Sequence, residues 1–359
     1  MSVTARWTGA PLDFASALYL GLSHPSRNVP AWEQLTTGKP AALAQPTGAI
    51  EVSKQIAVLQ GCQSATLAAS TLHLFLDFFG TFTGRPMTIY ADAETYPIAL
   101  WGIERARARG ASVESFAHQD VNDLRRLLEQ KARSGSVQMV VTDGFCPDCG
   151  RVAPIGEYVA TAVSFGGLVV VDDTQALGIL GERGDGPYGD GGGGVFRWHG
   201  LASPNLVGIS SLAKGFGVPL AALVGSAEGV RRFTEMSETN MHCSPPSIAI
   251  LHAARRALEI NSRVGNKLRS QLARRVRQFR GCLREMGLSS TGGLFPVQTL
   301  KITSDAAKRL HLALQRRGVQ SILRRAHMKD GARLTFIITA RHRPCDIDQV
   351  ADLIGVLKT

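Results

Sequence analysis

Four short runs constrain this chain most: MTIYA (87–91), VQMVVTD (137–143), GLVVVDD (167–173) and LVGIS (206–210). Each is rich in β-branched residues and is apolar at successive rather than alternate positions. A strand that is apolar on both faces has to be covered on both, as in a parallel sheet sandwiched by helices. Helix-like stretches from Glu51 to Leu59, ahead of the first run, and from Ile98 to Arg109 and Val121 to Arg133, between the first two, can supply that cover. The pattern predicts an α/β architecture with a mostly parallel central sheet over residues 46–260. From about residue 261 the grain changes. A long basic helix is followed by PVQTLKI (296–302), a helix from Ser304 to Arg317, RLTFIIT (333–339) and a last helix from Cys345, which predicts a smaller α+β domain over 261–359. Residues 1–45, broken by Pro11, Pro25, Pro30 and Pro40, read as an irregular N-terminal arm.

With 359 residues, 44% of them hydrophobic, the chain is long enough for a large core. No apolar run reaches the roughly 18 residues needed to span a bilayer, and MSVTARWTGAPLDF lacks the apolar centre of a signal peptide. These features predict a soluble, cytoplasmic protein. The formal charge of +11 is concentrated between Arg255 and Arg284. There Leu268, Leu272, Val276, Phe279 and Leu283 recur at helical spacing, so the arginines read as a solvated helix face and no nucleic-acid partner is expected. Of six cysteines only Cys146 and Cys149 are close, in C-P-D-C. No second ligand pair follows, so ordinary thiols and no metal are expected. The loop GPYGDGGGG (186–194) opens no helix after a fresh strand, and reads as a flexible surface loop rather than a dinucleotide site. Ser211-Leu-Ala-Lys214 matches S-x-x-K without its partner motifs, and Thr37-Gly38-Lys39 lacks the rest of a phosphate loop.

Open α/β sheets bind ligands at the carboxyl ends of their strands. GLVVVDD ends in Asp172 and Asp173, and LVGISSLAKGFG leads from a strand through Ser210 and Ser211 to Lys214, Gly215 and Gly217. An acid at one strand end and a lysine after another is the pair that pyridoxal 5'-phosphate (PLP) chemistry requires. The amine forms a Schiff base, and the carboxylate keeps the pyridine nitrogen protonated so that the ring accepts electrons from a carbanion at the substrate Cα.

Longer motifs carry a family resemblance. VVVDDTQALGILGERGDG resembles V-D-(D/E)-A-H-(A/S/G)-x-G-x-x-G-x-x-G-x-G of the α-oxoamine synthases, which include 8-amino-7-oxononanoate synthase and glycine C-acetyltransferase. SSLAKGFGVPLAALVGS is similar to the lysine segment of that family. FAHQDVNDLRRLLEQ, VVTDGFCPDCGRVAPI, LYLGLSH and CSPP match further motifs, so the likeness runs from about residue 18 to the C-terminus. It implies the PLP-dependent transferase fold type I, the aspartate aminotransferase fold, and a homodimer.

Carried over by position, the resemblance makes Lys214 the Schiff-base lysine and Asp172 the pyridinium partner. Ser70, Thr71 and Leu72 fall where the family cradles the phosphate, and Ser211 where a hydroxyl helps to hold the cofactor. A Ser-Thr pair before a helix can also be a simple cap. Departures are equally specific. Tyr96 stands where the family stacks a histidine on the ring, Gln175 where a histidine reaches the phenolic oxygen, Pro147 where a serine does, Ala49 for a histidine near the N-terminus, and Thr335 for a carboxylate-binding arginine. Arg324, Arg325, Arg333 and Arg341 are the candidates to replace that arginine. A tyrosine can stack and a glutamine can donate, so the resemblance still implies PLP. The implied activity is condensation of an amino substrate with an acyl thioester, on CoA or a carrier protein, of the decarboxylative Claisen type. Proton transfer near Cα suits an imidazole better than a phenol. Two other readings therefore stand beside it: a PLP-dependent aminotransferase, decarboxylase or lyase on an unusual amino substrate, and a non-catalytic PLP-fold protein.

Overall fold

The computed structural model describes residues 11–82, 84–133, 135–325 and 331–358; the first ten residues of the expected N-terminal arm lie outside them. Two compact units emerge. The larger comprises Leu22–Cys146 and Val152–Asn266; the smaller comprises the chain up to Gly21, Pro147–Arg151, and the chain from Lys267 on.

Seven strands make the sheet of the larger unit: β1 (Ser64–Ala68), β2 (Met87–Asp92), β3 (Ser112–Phe116), β4 (Val137–Asp143), β5 (Leu168–Asp172), β6 (Leu206–Ser211) and β7 (Ala221–Gly225). Their order is β1-β7-β6-β5-β4-β2-β3. The β6, β5, β4, β2 and β3 strands are parallel to one another. Only β7 runs against its neighbours, β1 and β6. All four expected runs are strands of this sheet. The first six residues of β4 are all buried, as two-sided cover demands. Helices α1 (Ala49–Gln60), α2 (Thr71–Phe78), α3 (Pro97–Ala108), α4 (Val121–Lys131) and α5 (Ile155–Ser164) supply the cover. Phe75, Ile103, Met139 and Val170 meet in one continuous apolar cluster, which fixes α2 and α3 against the strands.

The basic helix begins earlier than the sequence suggests. It spans Ile248–Glu285 without a break, because after Pro245 and Pro246 no residue interrupts the helical period. Its arginines are not all solvated: Arg269 is only 2% exposed. In the smaller unit, Arg275 donates to the His342 carbonyl at 3.0 Å and Arg280 to Gln298 Oε1 at 3.0 Å. The glycine-rich loop is likewise better tied than expected. Asn266 donates to Asp190 Oδ1 at 2.7 Å and accepts the Gly191 amide at 3.0 Å, while Asn261 donates to the Gly191 carbonyl at 2.8 Å.

The smaller unit holds an antiparallel sheet of β8 (Val297–Thr299), β9 (Ile322–Arg325) and β10 (Ala332–Ile337), with β10 central. Ser304–Arg316 and Pro344–Leu357 are its two later helices. Part of the expected arm belongs to its core. Leu12–Asp13 pairs with Val319–Gln320, and the Phe14 ring stacks on His342 at 4.2 Å. Among the described residues no helix is long and apolar enough to cross a membrane, and all six cysteines are free thiols.

Candidate active site

The carboxyl edge of the large sheet gathers the residues singled out in the sequence. Asp172 ends β5 and lies in register with Ile209 of β6 on one side and Asp143 of β4 on the other. Ser211 ends β6 and pairs with Ala221, which in turn pairs with Ala68 at the end of β1. The turn holding Ser70 therefore leaves the sheet at the edge from which Ser211 leads into Lys214.

Lys214 lies in the tight turn after β6. Gly215 lets that turn close on the loop after β5, since a Cβ there would meet the Leu177 carbonyl oxygen at 2.4 Å. Its ammonium nitrogen is 6.0 Å from the centroid of the Tyr96 ring. Tyr96 is half exposed and caps α3, where Pro97 follows with no amide to satisfy. Thr174 links the two strand ends: its amide donates to Asp172 Oδ1 at 2.9 Å, and its hydroxyl accepts the Ser211 amide at 3.0 Å. The Ser211 hydroxyl accepts the Ala213 amide at 3.2 Å, which shapes the approach to Lys214. Gln175 is half-buried in the turn closed by the Ala176 amide on the Asp173 carbonyl. Ser70 precedes α2 in an extended conformation, but its side chain does not cap the helix. Its hydroxyl lies 2.8 Å from His73 Nδ1 instead.

Electrostatics separate the acids. Burial pushes the Asp172 carboxyl up, while hydrogen bonds from Thr174 and the charge of Lys214 hold it down. Asp143 is driven well above the carboxylate range by burial first and then by Asp172; the Tyr96 amide opposes this, Asp92 adds to it, and Lys214 opposes it. Asp173 is fully buried and is also pushed well up by burial, against the Val195 amide that it accepts at 3.2 Å. Asp92 is answered differently, with His118 Nδ1 at 2.7 Å and the Gln119 amide at 3.0 Å.

The structure thus brings Lys214, Asp172, Tyr96, Ser211 and Gln175 to one edge, with Ser70, Thr71 and Leu72 at the start of α2 on that same edge. Sequence reading passed over Thr174, Asp143 and the Asp92–His118 pair. The available signal was that each acid ends a parallel strand. In the smaller unit, Thr335 stands on β10 with its hydroxyl 2.8 Å from that of Thr299. Arg324, on the neighbouring β9, donates to Thr335 at 3.2 Å and to Thr299 at 3.1 Å, and is paired with Asp148.

No protein-family model matches the chain. A curated 8-amino-7-oxononanoate synthase of Dechloromonas aromatica is 30% identical over 311 residues, covering 86% of this chain and 77% of that protein. Among solved structures, a serine palmitoyltransferase of Sphingomonas wittichii superposes with a TM-score of 0.82 at 18% identity, covering 99% of this chain and 91% of that one. A structure described as SPT with PLP gives 0.84 at 19% identity, covering 96% and 87%.

Proposed function

The chain belongs to the PLP-dependent α-oxoamine synthases, and from that premise we propose that it joins an amino substrate to an acyl thioester at the Lys214 edge of the large sheet. It is a PLP enzyme and a transferase of the acyl-transferring kind. The observation that carries the assignment to this edge is Lys214 beside the Tyr96 ring and in the field of Asp172.

The residues present fit the cofactor. An aldehyde needs an amine, which Lys214 offers beside the Tyr96 ring. A pyridinium nitrogen needs a carboxylate, and Asp172 is kept available by Thr174 and Lys214. A phosphate needs amides, and the first turn of α2 starts without a side-chain cap. When bound, PLP supplies an electron sink that stabilises a carbanion at the substrate Cα.

This chain's residues do the rest. Lys214 would hold the cofactor through its amine, and the same amine is suited to moving the proton at Cα. Asp172 holds a proton on the ring nitrogen. Tyr96 would cover one ring face, and Gln175 would donate to the phenolic oxygen. Ser211 and the amides of Ser70, Thr71 and Leu72 hold the phosphate end. The acyl group arrives on CoA or a carrier protein. We further place the enzyme in the cytoplasm as a homodimer; a monomer by light scattering at micromolar concentration would count against the latter.

An absorption spectrum with added PLP, before and after borohydride, tests the reading. A visible band fixed onto Lys214 by reduction and lost in Lys214→Ala is expected, and reduction onto another lysine overturns the site. Thiol release from an acyl thioester, scanned over a panel of amino acids, tests the condensation. Amino-group transfer without thiol release would replace it by the aminotransferase reading.

A further inference from the structure

We infer that Asp143 is a positioning residue of this site, holding the Tyr96 amide, and through it the aromatic ring beside Lys214, to the strand next to the one that carries Asp172. The inference rests on the proposed PLP site and adds a residue to it.

The argument begins with the chain between β2 and α3. Four amides, those of Ala93, Glu94, Thr95 and Tyr96, lie between the last strand residue and the first helical one, and each needs a partner. Ala93 donates to the Phe116 carbonyl at 3.0 Å, Glu94 to Asp92 Oδ1 at 2.9 Å and Thr95 to the Asp92 carbonyl at 2.9 Å. These three bonds reach back to β2 and the adjoining β3. The fourth is different: the Tyr96 amide reaches across to Asp143 Oδ1 on β4, at 3.2 Å and 47 residues away in sequence. Because Pro97 fixes the next φ and starts α3, the Tyr96 backbone is the last flexible joint before the helix. Fixing its amide fixes where the ring emerges.

Asp143 is also set apart from the neighbouring acids. Asp92 has His118 and two amides, and Asp172 has Thr174 and Lys214. Asp143 is half-buried and lies in register with Asp172; burial, together with the proximity of that acid, pushes its carboxyl up. The Tyr96 amide needs only an oxygen acceptor, which a carboxyl offers in either protonation state and a carboxamide offers equally. The geometry thus predicts that an asparagine at 143 does the same work, whereas a leucine of similar size does not.

The test measures PLP affinity by absorption titration in Asp143→Asn, Asp143→Leu, Tyr96→Ala and the double variant Asp143→Leu/Tyr96→Ala, with apoenzyme melting as the folding control. Asp143→Asn should bind PLP within about threefold of the parent, and Asp143→Leu about tenfold more weakly, the scale of a lost aromatic contact. In the double variant Asp143→Leu should add less than about twofold to the loss from Tyr96→Ala, because its effect travels through the ring. Additive losses in the folded variants, or parent-like affinity in Asp143→Leu, overturn the inference. Absence of the Lys214-dependent band in the parent would overturn the PLP site itself, a separate failure.

Discussion

The Thr174 hydroxyl accepts the Ser211 amide at 3.0 Å, which ties the loop after Asp172 to the strand that delivers Lys214. The Thr174 amide donates to Asp172 Oδ1 at 2.9 Å, and while burial pushes that carboxyl up, the Thr174 side chain also holds it down. One side chain therefore registers the two halves of the site against each other. Thr174→Val should cost about 1–2 kcal/mol of stability and weaken PLP binding several-fold, while Thr174→Ser should restore both. Melting curves and PLP titration check this; parent-like affinity in the valine variant would detach Thr174 from the site.

A second prediction concerns pH and the smaller unit. His342 is buried, accepts the Thr339 amide on Nδ1 at 2.9 Å and lies with Nε2 2.9 Å from the Asp13 carbonyl oxygen. Both nitrogens are thus committed in the neutral ring. Burial holds its pKa below the ordinary value, against the Asp13 carbonyl and nearby acids. His199 and His311 shift the same way for the same reason. In the unfolded chain these rings titrate near about 6.5, so on acidification the unfolded state takes up protons first. Their contribution to stability is complete above about pH 6.5 and is lost as pH falls towards the lower folded values. Denaturant midpoints measured from pH 7.5 to 5 should fall, and the fall should be smaller in His342→Gln.

Asp173 gives the opposite sign. Its folded pKa is raised, so its favourable contribution belongs to low pH and is lost as pH rises through the folded value. Asp173→Asn keeps an acceptor for the Val195 amide without the charge, and its stability relative to the parent should therefore improve steadily with pH. The neighbouring glycine shows how tightly this acid is enclosed. Gly194 has a φ of +81°, and a Cβ there would lie 1.7 Å from Asp173 Oδ2. Gly194→Ala should lose well over about 1 kcal/mol; an unchanged melting temperature would mean that the loop yields easily.

The large sheet was legible where strands are long and β-branched, and illegible where they are short and small. VQMVVTD declares itself, whereas SATLA, SVESF and AALVG become strands β1, β3 and β7 because neighbours of correct register lie beside them. Tertiary pairing, not local propensity, decides such segments. The same distinction runs through the site. Lys214 and Asp172 could be read because each follows a recognisable strand and its residue type is tied to the chemistry. Thr174 could not, since its partner is 37 residues away, and Asp143 could be read as a strand-end acid but not as the acceptor of an amide 47 residues away. Arg324 stands between these cases, since it is one of four candidates to replace the arginine missing at Thr335. Nothing in GARLTFIIT announces that a guanidinium from the adjacent strand reaches the Thr335 hydroxyl.

Tyr96 allows the ring to be separated from its hydroxyl. The ring centroid is 6.0 Å from the Lys214 ammonium, a cation–π distance that depends on the face of the ring and not on the oxygen. Stacking on a pyridine ring uses the same face. If covering that face is the whole of its task, Tyr96→Phe should bind PLP within about threefold of the parent and keep kcat within the same range, whereas Tyr96→Ala should lose about tenfold in affinity. If the hydroxyl instead moves a proton at the substrate, Tyr96→Phe will bind PLP normally and lose 10²-fold or more in kcat, the scale of a lost acid or base. Titration and turnover on the same three proteins therefore divide the two roles, and we expect the first result, because Lys214 already stands beside the ring with an amine suited to the proton transfer.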